Sequence, residues 1–553
     1  MNLKTELEKI FKGELKNDNE TLTFYSHDAS LFELRPEVVG FPKDAEDIKA
    51  AVNFVNQYKS DNPKLSITPR SRGTDMSGAA INESIILDTS THMTDTRELT
   101  PESVWAQPGI TYLKFDEITK SVGSILPSYP ASRALAGIGG IVNNNSGGEL
   151  GIRYGKTQKY VMELKVVLSD GNEYTVKPLQ KDELVRKMSQ GDFEGNLYKQ
   201  TFELIEQNYD EIQAARPQVA KDSTGYRLWD IWSRETGIFD LTQLFVGAQG
   251  TLGIVTDSKL RLVPDPFKYV GTLVVYVRNM EGLGAVTEKL MSHRPFAVEV
   301  FDDKTLWLSI KFIFAFLTRM RFWKWVEMCI RLIPNGLALV RGIPKLILLI
   351  EFDGDDQATV NKKVHQAKLD LKQFSNIGYM EEANTFAKAD KFWKMRQESF
   401  NLLRSKVKDK HTAPYIDDFV VPIDKMEIVL PKVQQVIEKY KLLGTIAGHL
   451  GDGNFHVIPL MNIEKEEERA KIEPSMKEVY EAVLEAGGSL SGEHNDGLVR
   501  GPWLERMYGE SMLGHMKEIK KLYDPQSIFN PNKKVEATWD YSFAHVRKNF
   551  DGR

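Results

Sequence analysis

The stretch Ala447-Gly-His449-Leu-Gly-Asp452-Gly-Asn-Phe-His456, with Ser491-Gly-Glu493-His494 further on, decides how this chain is read. Its glycines let the backbone turn sharply and come close to a ligand. Two imidazoles, a carboxylate and a third imidazole suit a divalent cation such as zinc, manganese or iron. The interval between His449 and His456 is not diagnostic, so the spacing also fits imidazoles that hydrogen-bond buried loops.

The two segments resemble the C-terminal domain of FAD-linked 2-hydroxy-acid dehydrogenases, the group that holds D-lactate dehydrogenases, D-2-hydroxyglutarate dehydrogenases and the glycolate oxidase flavin subunit. In that family, Gly-His-x-Gly-Asp-Gly-Asn-x-His and the later Glu-His pair supply three metal ligands and a catalytic base. The resemblance therefore implies His449, His456 and Glu493 as ligands of a divalent metal and His494 as the base. Asn495 stands where the family usually has glycine. Asparagine tolerates left-handed backbone better than most residues.

Working upstream, Ile48, Val52, Phe54 and Val55 are spaced for one face of a helix over 44–58. Leu65-Ser-Ile-Thr68 reads as a short strand and Ser84-Ile-Ile-Leu-Asp88 as another. Between them lies Arg70-Ser71-Arg72-Gly73-Thr74-Asp-Met-Ser77-Gly78. A strand opening into a loop of small residues is a place for phosphate to meet backbone N–H groups, and equally a plain surface turn. The loop resembles the first FAD-binding segment of vanillyl-alcohol-oxidase type flavin domains, although Ser71 and Arg72 occupy positions usually held by glycine. Three further segments match in the family's order. They are Pro127 to Ser132; Gly137 to Gly148, with Gly139, Gly140, Asn143, Asn144 and Gly147; and Val246 to Thr256, with Gly250, Gly253 and Ile254. The tail with Asn530 and Lys533 resembles the family's closing motif, which returns to the cofactor. The resemblance implies that these residues hold FAD. No Gly-x-Gly-x-x-Gly follows a strand with an acid some twenty positions later, which argues against a nicotinamide cofactor. Covalent flavin usually hangs on cysteine or histidine near the ring. The loop at 70–78 has neither, and the single cysteine is the distant Cys329, so the FAD is expected to be noncovalent.

A chain of 553 residues is too long for one core. The expected architecture is α+β. A two-subdomain flavin domain of the vanillyl-alcohol-oxidase type spans 1–266, and an α+β cap carrying the substrate and metal site spans 267–520. A C-terminal segment, 521–553, returns to the flavin domain. Within the cap, 269–277, 296–302 and 345–352 read as strands, separated by helical stretches at 280–293 and 355–375. A net charge of −5 argues against a nucleic-acid partner. One cysteine excludes an internal disulfide and an iron–sulfur cluster built from this chain. Residues 1–19 lack the apolar core of a signal peptide, so secretion is not expected.

Residues 304–345 interrupt the cap with Trp307, Phe312, Phe314, Phe316, Trp323 and Trp325 among Lys311, Arg319, Arg321, Lys324, Arg331, Arg341 and Lys345, against the single acid Glu327. A membrane-spanning helix needs about twenty predominantly apolar residues, and Lys311, Arg319 and Arg321 break the run too early. Aromatic, basic segments instead lie along the bilayer interface. The segment predicts peripheral attachment to the cytoplasmic side of the membrane, where a quinone could collect electrons. A packed hairpin or an oligomer contact is the other reading. Arg396 matches a position where relatives hold the substrate carboxylate. Relatives acting on 2-hydroxyglutarate carry Thr and Lys where this chain has Phe400 and Ile416, so a small D-2-hydroxy acid such as D-lactate is expected. A separate iron–sulfur protein or electron-transfer flavoprotein is the competing acceptor. A flavoprotein with a decayed redox site is the reading of a different class, and the full histidine and glutamate set speaks against it.

Overall fold

The computed structural model describes residues 2–266, 268–305, 344–383, 389, 392–393 and 409–549. Most of the basic aromatic segment (306–343), with Cys329, and also Arg396 and Phe400 lie outside the described residues.

The first sheet has strands Val38–Phe41, Ile85–Asp88 and Ile67–Arg70 in parallel, with Glu14–Lys16 antiparallel on the far edge. Val38–Phe41 and Ile85–Asp88 are buried at every residue, as befits parallel strands covered on both faces. The helix expected over 44–58 runs Ala45–Tyr58 and buries Ile48, Ala51, Val52 and Val55 as one stripe. Asp44 caps it by accepting from the N–H groups of Glu46 and Asp47. The strand expected at 65–68 forms two residues later, Ile67–Arg70. Pro69 has no N–H to give, which an edge position tolerates. That edge is met by the chain's tail, with Ile67 N donating to Ile528 O at 2.8 Å and Asn530 N to Ile67 O at 2.8 Å.

A second, antiparallel sheet follows in the order Thr96–Arg97, Ser103–Ala106, Ile254–Arg261, Val161–Val167, Glu173–Val176. The cap is a seven-stranded antiparallel sheet in the order Ile377–Ala383, Tyr269–Val277, Leu346–Gly354, Ala297–Asp302, Ile446–His449, Asn454–Val457, Asp417–Val420. Tyr269–Val277 pairs with Leu346–Gly354 over its full length. Both strands are near-continuous apolar runs because both faces are covered. Leu273, Val275, Leu348 and Ile350 join the core under helices Leu283–Ser292 and Gln357–Leu371, whereas Val274, Tyr276, Ile347 and Leu349 pack on the opposite face.

A helix ahead of the C-terminal segment also packs on the flavin domain. Helix Leu504–Tyr523 buries Met512, Leu513, Met516 and Ile519 in the core that holds Ile205 and Phe245. The Thr201 and Tyr523 hydroxyls meet at 3.1 Å. Among the described residues no helix is long and apolar enough to cross a membrane.

Candidate active site

The two histidines of the opening motif reach one place through strand register. Strand Ile446–His449 turns through Leu450–Asp452 into Asn454–Val457, with Gly453 in the left-handed region at φ 68°. Ala447 then faces His456 directly, and His449 stands two residues along on the same face. The spacing is therefore that of a diagonal pair across a tight hairpin. Glu493 and His494 arrive from a turn held by one carboxylate. Asp418 Oδ2 accepts from the Glu493 and His494 N–H groups at 2.8 Å each and from Ser491 Oγ at 2.7 Å. Asn495, the expected departure from glycine, takes φ 65°. Its amide donates to Gly247 O at 2.9 Å and accepts from Lys534 Nζ at 2.6 Å, contacts that glycine could not make.

His449 Nε2 and His456 Nε2 each lie 3.3 Å from Glu493 Oε1. One ligand atom from each of His449, His456 and Glu493 falls within 4.8 Å of the others. Two imidazoles and a carboxylate with ligand atoms this close fit a zinc-, manganese- or iron-type cation. Behind His449, Nδ1 is 2.6 Å from Glu299 Oε1 on the neighbouring strand. Such an outer carboxylate fixes the ring and its tautomer. Behind His494, Nδ1 meets Asp417 Oδ2, and Asp417 is in turn 3.5 Å from the Arg500 guanidinium.

Burial opposes charging His449, yet Glu299 outweighs it, together with Glu493, and pushes the imidazole up to about 9. His494 behaves alike: burial lowers it and Asp417 raises it to about 9. Burial also works against the Glu493 carboxylate, but Lys221 and His449 hold it well below the usual range. The buried carboxylates thus draw protons onto the rings, and a divalent cation competes for the same atoms.

These side chains open into a cavity of about 420 Å³ that also receives the expected cofactor segments. Arg70, Ser71, Arg72, Gly73 and Thr74 line it from the loop after the first sheet's edge strand, and Ser132 lines it from the second segment. Gly139, Gly140, Asn143, Asn144 and Gly250 also line it, together with His449, His456, Glu493 and His494, and Asn144 Nδ2 donates to Glu493 O at 2.8 Å. Ser71 fits in place of glycine because its Oγ donates to Pro108 O at 2.8 Å. The side-chain-less Gly137 leaves it room, since a Cβ there would lie 2.1 Å from that oxygen. Arg70 is committed to the protein: it donates to His27 O at 2.7 Å and stacks on Tyr25.

Other expected cofactor residues stand behind the lining. Ser77 Oγ accepts from Gln249 Nε2 at 2.9 Å, and Gly78 packs on Phe32. Pro127 does not line the cavity. Gly147 lies over Lys156 and Glu493, and Gly148 lets Tyr129 O come within 2.3 Å of where a Cβ would sit. Gly253 packs against Val166, while Ile254 begins a central strand. Asn530 ties three segments together. It accepts from Thr68 Oγ1 at 2.6 Å and donates to Ala79 O at 2.9 Å and Gln249 O at 2.7 Å. Lys533 is buried, which lowers its ammonium to about 8, and donates to Pro531 O. Ile416, expected beside the substrate, is wholly buried in the apolar core and does not line the cavity.

Sequence reasoning missed Glu299, Asp417, Asp418 and Lys221. The first three carry a signal: single or paired acids inside the apolar strands Ala297–Asp302 and Asp417–Val420, where an unpartnered charge would be costly. Lys221 sits in an irregular segment with no pattern around it.

Residues 36–177 match the FAD binding domain family, and 268–534 match the family described as FAD linked oxidases, C-terminal domain. A D-2-hydroxyglutarate dehydrogenase of Pseudomonas putida is 28% identical over 529 residues, 95% of this chain and 50% of that one. This chain therefore spans about half the length of that relative. Glycolate oxidase subunit GlcD of Bacillus subtilis is 26% identical, covering 92% of this chain and 91% of its own. A mitochondrial D-lactate dehydrogenase [cytochrome] of Arabidopsis thaliana is 25% identical over 96% of this chain and 79% of its own. Among solved structures, 4-ethylphenol oxidase from Gulosibacter chungangensis superposes with a TM-score of 0.67 at 14% identity, covering 98% of each chain. p-Cresol methylhydroxylase superposes with 0.66 at 14% identity, covering 97% of this chain and 96% of its own. The chain thus carries a FAD binding domain followed by a FAD linked oxidase C-terminal domain, on the fold it shares with 4-ethylphenol oxidase and p-cresol methylhydroxylase.

Proposed function

We propose that the chain oxidises a small D-2-hydroxy acid, D-lactate in preference, to the 2-oxo acid. FAD is the hydride acceptor, and His449, His456 and Glu493 hold a divalent cation. One observation carries this reading: the imidazole–carboxylate cluster and the FAD-binding loop line a single cavity. When bound, the flavin supplies the redox chemistry. A cation among the three ligands would lower the pKa of a substrate hydroxyl. The protein's own part is to place the substrate and to take the hydroxyl proton. His494 is suited to that. Its Nδ1 is engaged by Asp417, which leaves Nε2 as the ring nitrogen able to accept. Arg396 is proposed to grip the substrate carboxylate.

A monoacid is proposed over a diacid, and the side chains around the cavity support that choice. Among the described residues that line it, the arginines and lysines are Arg70 and Arg72, both on the FAD loop. Around the imidazoles the described wall is Thr305, Thr445, Ala447 and Ile458, none of them a cation for a second carboxylate among the described residues. Anaerobic bleaching of the bound flavin by D-lactate, glycolate and D-2-hydroxyglutarate tests this. D-lactate should bleach it fastest. Faster bleaching by the diacid would transfer the assignment to the substrate of the Pseudomonas putida relative, and no bleaching by any of them would defeat the reading. Electrons are proposed to pass to membrane quinone, a role supported by the basic aromatic composition of 304–345. A separate electron-transfer protein is the alternative.

A further inference from the structure

Lys221 is a buried cation that the chemistry above leaves without a task. Its side chain is fully buried, and it meets Oε2 of Glu493 at 3.5 Å, the oxygen opposite the one shared by His449 and His456. The same ammonium lies 2.8 Å from Asp452 Oδ2 and donates to Gly148 O at 3.1 Å. Asp452 sits in the turn that joins the two histidine strands. One ammonium thus connects that hairpin to the carboxylate arriving from the 491–495 turn. The backbone makes room for the contact: a Cβ on Gly151 would lie 2.4 Å from Lys221 Cε and 2.8 Å from Asp452 Oδ2.

We propose that Lys221 is a positioning residue. Its ammonium, anchored on Asp452, turns Glu493 so that Oε1 is presented where His449 and His456 converge. The role rests on the metal reading above. Without Lys221, Asp452 Oδ2 and Glu493 Oε2 face each other with no cation between them, and Glu493 turns away from the two histidines. Outer-shell partners of this kind commonly govern metal affinity by 10- to 100-fold.

A simple Coulomb view predicts the opposite sign, because deleting a cation beside a divalent site should tighten metal binding. The direction of the change therefore decides. FAD-loaded wild-type, Lys221→Met and Gly151→Ala proteins are titrated with zinc against a chromophoric chelator, with flavin content and melting temperature measured alongside. Positioning predicts zinc affinity about 10- to 100-fold weaker in Lys221→Met with flavin retained. Gly151→Ala, which displaces the ammonium and leaves every charge in place, should weaken zinc as well. Equal or tighter binding by Lys221→Met, or unchanged binding by Gly151→Ala, overturns the proposal. If Lys221→Met does not fold, the Gly151→Ala result decides alone. Wild-type protein that takes up no zinc, manganese or iron overturns the metal reading itself, and this role with it.

Discussion

Replacing Asp417 with Asn probes the pair behind the proposed proton acceptor. Asp417 is fully buried, and its charge is the chief force that raises His494 against the cost of burial. Asparagine keeps the size and one acceptor oxygen and removes the charge. The imidazole should then fall from about 9 towards or below its ordinary 6.5. At 1.36 kcal/mol per pKa unit, that gap is about 3 kcal/mol in favour of the imidazolium. The sign follows from the chemistry. A proton acceptor works when deprotonated, so a raised value places the acid limb of flavin reduction at higher pH. Asp417→Asn should move that limb to lower pH. The weaker base should also slow the plateau rate, within the hundred- to ten-thousand-fold range that such groups contribute. Stopped-flow flavin bleaching by D-lactate, run across pH on both proteins at equal metal loading, reads both effects. In metal-free protein, the stabilisation from charging His494 is complete below 6.5 and is lost as pH rises through about 9. The variant should lack that slope. An acid limb that stays in place, or moves to higher pH, would refute the assignment of His494 as the titrating acceptor.

His449→Ala should remove the metal and leave the flavin, because the loop at 70–78 follows a strand of a different sheet; metal analysis beside the flavin spectrum checks this. Acid precipitation should release the FAD into the supernatant, and flavin that stays with the pellet would contradict noncovalent binding. Deleting 306–341 should leave flavin reduction intact, abolish sedimentation with anionic liposomes and impair quinone reduction in vesicles. For the wild type, salt should weaken liposome binding, at about 1 kcal/mol for each basic residue near the surface, with the aromatic contribution persisting.

The long cap strands were legible because two covered faces force uninterrupted apolar runs, and the helix Ala45–Tyr58 because its apolar residues fall on one stripe. The proposed ligand trio was suggested only by motif resemblance; spacing alone could not show that a hairpin register would set His456 diagonally across from His449. Glu299 and Asp417 escaped because a partner distant in sequence is invisible until strands pair. The apolar face of Leu504–Tyr523 does not say which of two cores it enters, because a stripe marks burial and not its partner.

The clasp at Asn530 has a bearing on how the protein is made. Thr68, Ala79 and Gln249 meet on a side chain synthesised 281 residues after the last of them. While the ribosome works through the cap, strand Ile67–Arg70 waits with its edge open, the kind of edge that recruits neighbouring chains. The flavin cradle is therefore sealed late in translation. A nascent chain stalled between residues 256 and 530 carries the expected cofactor-binding segments up to Thr256 and cannot yet close them.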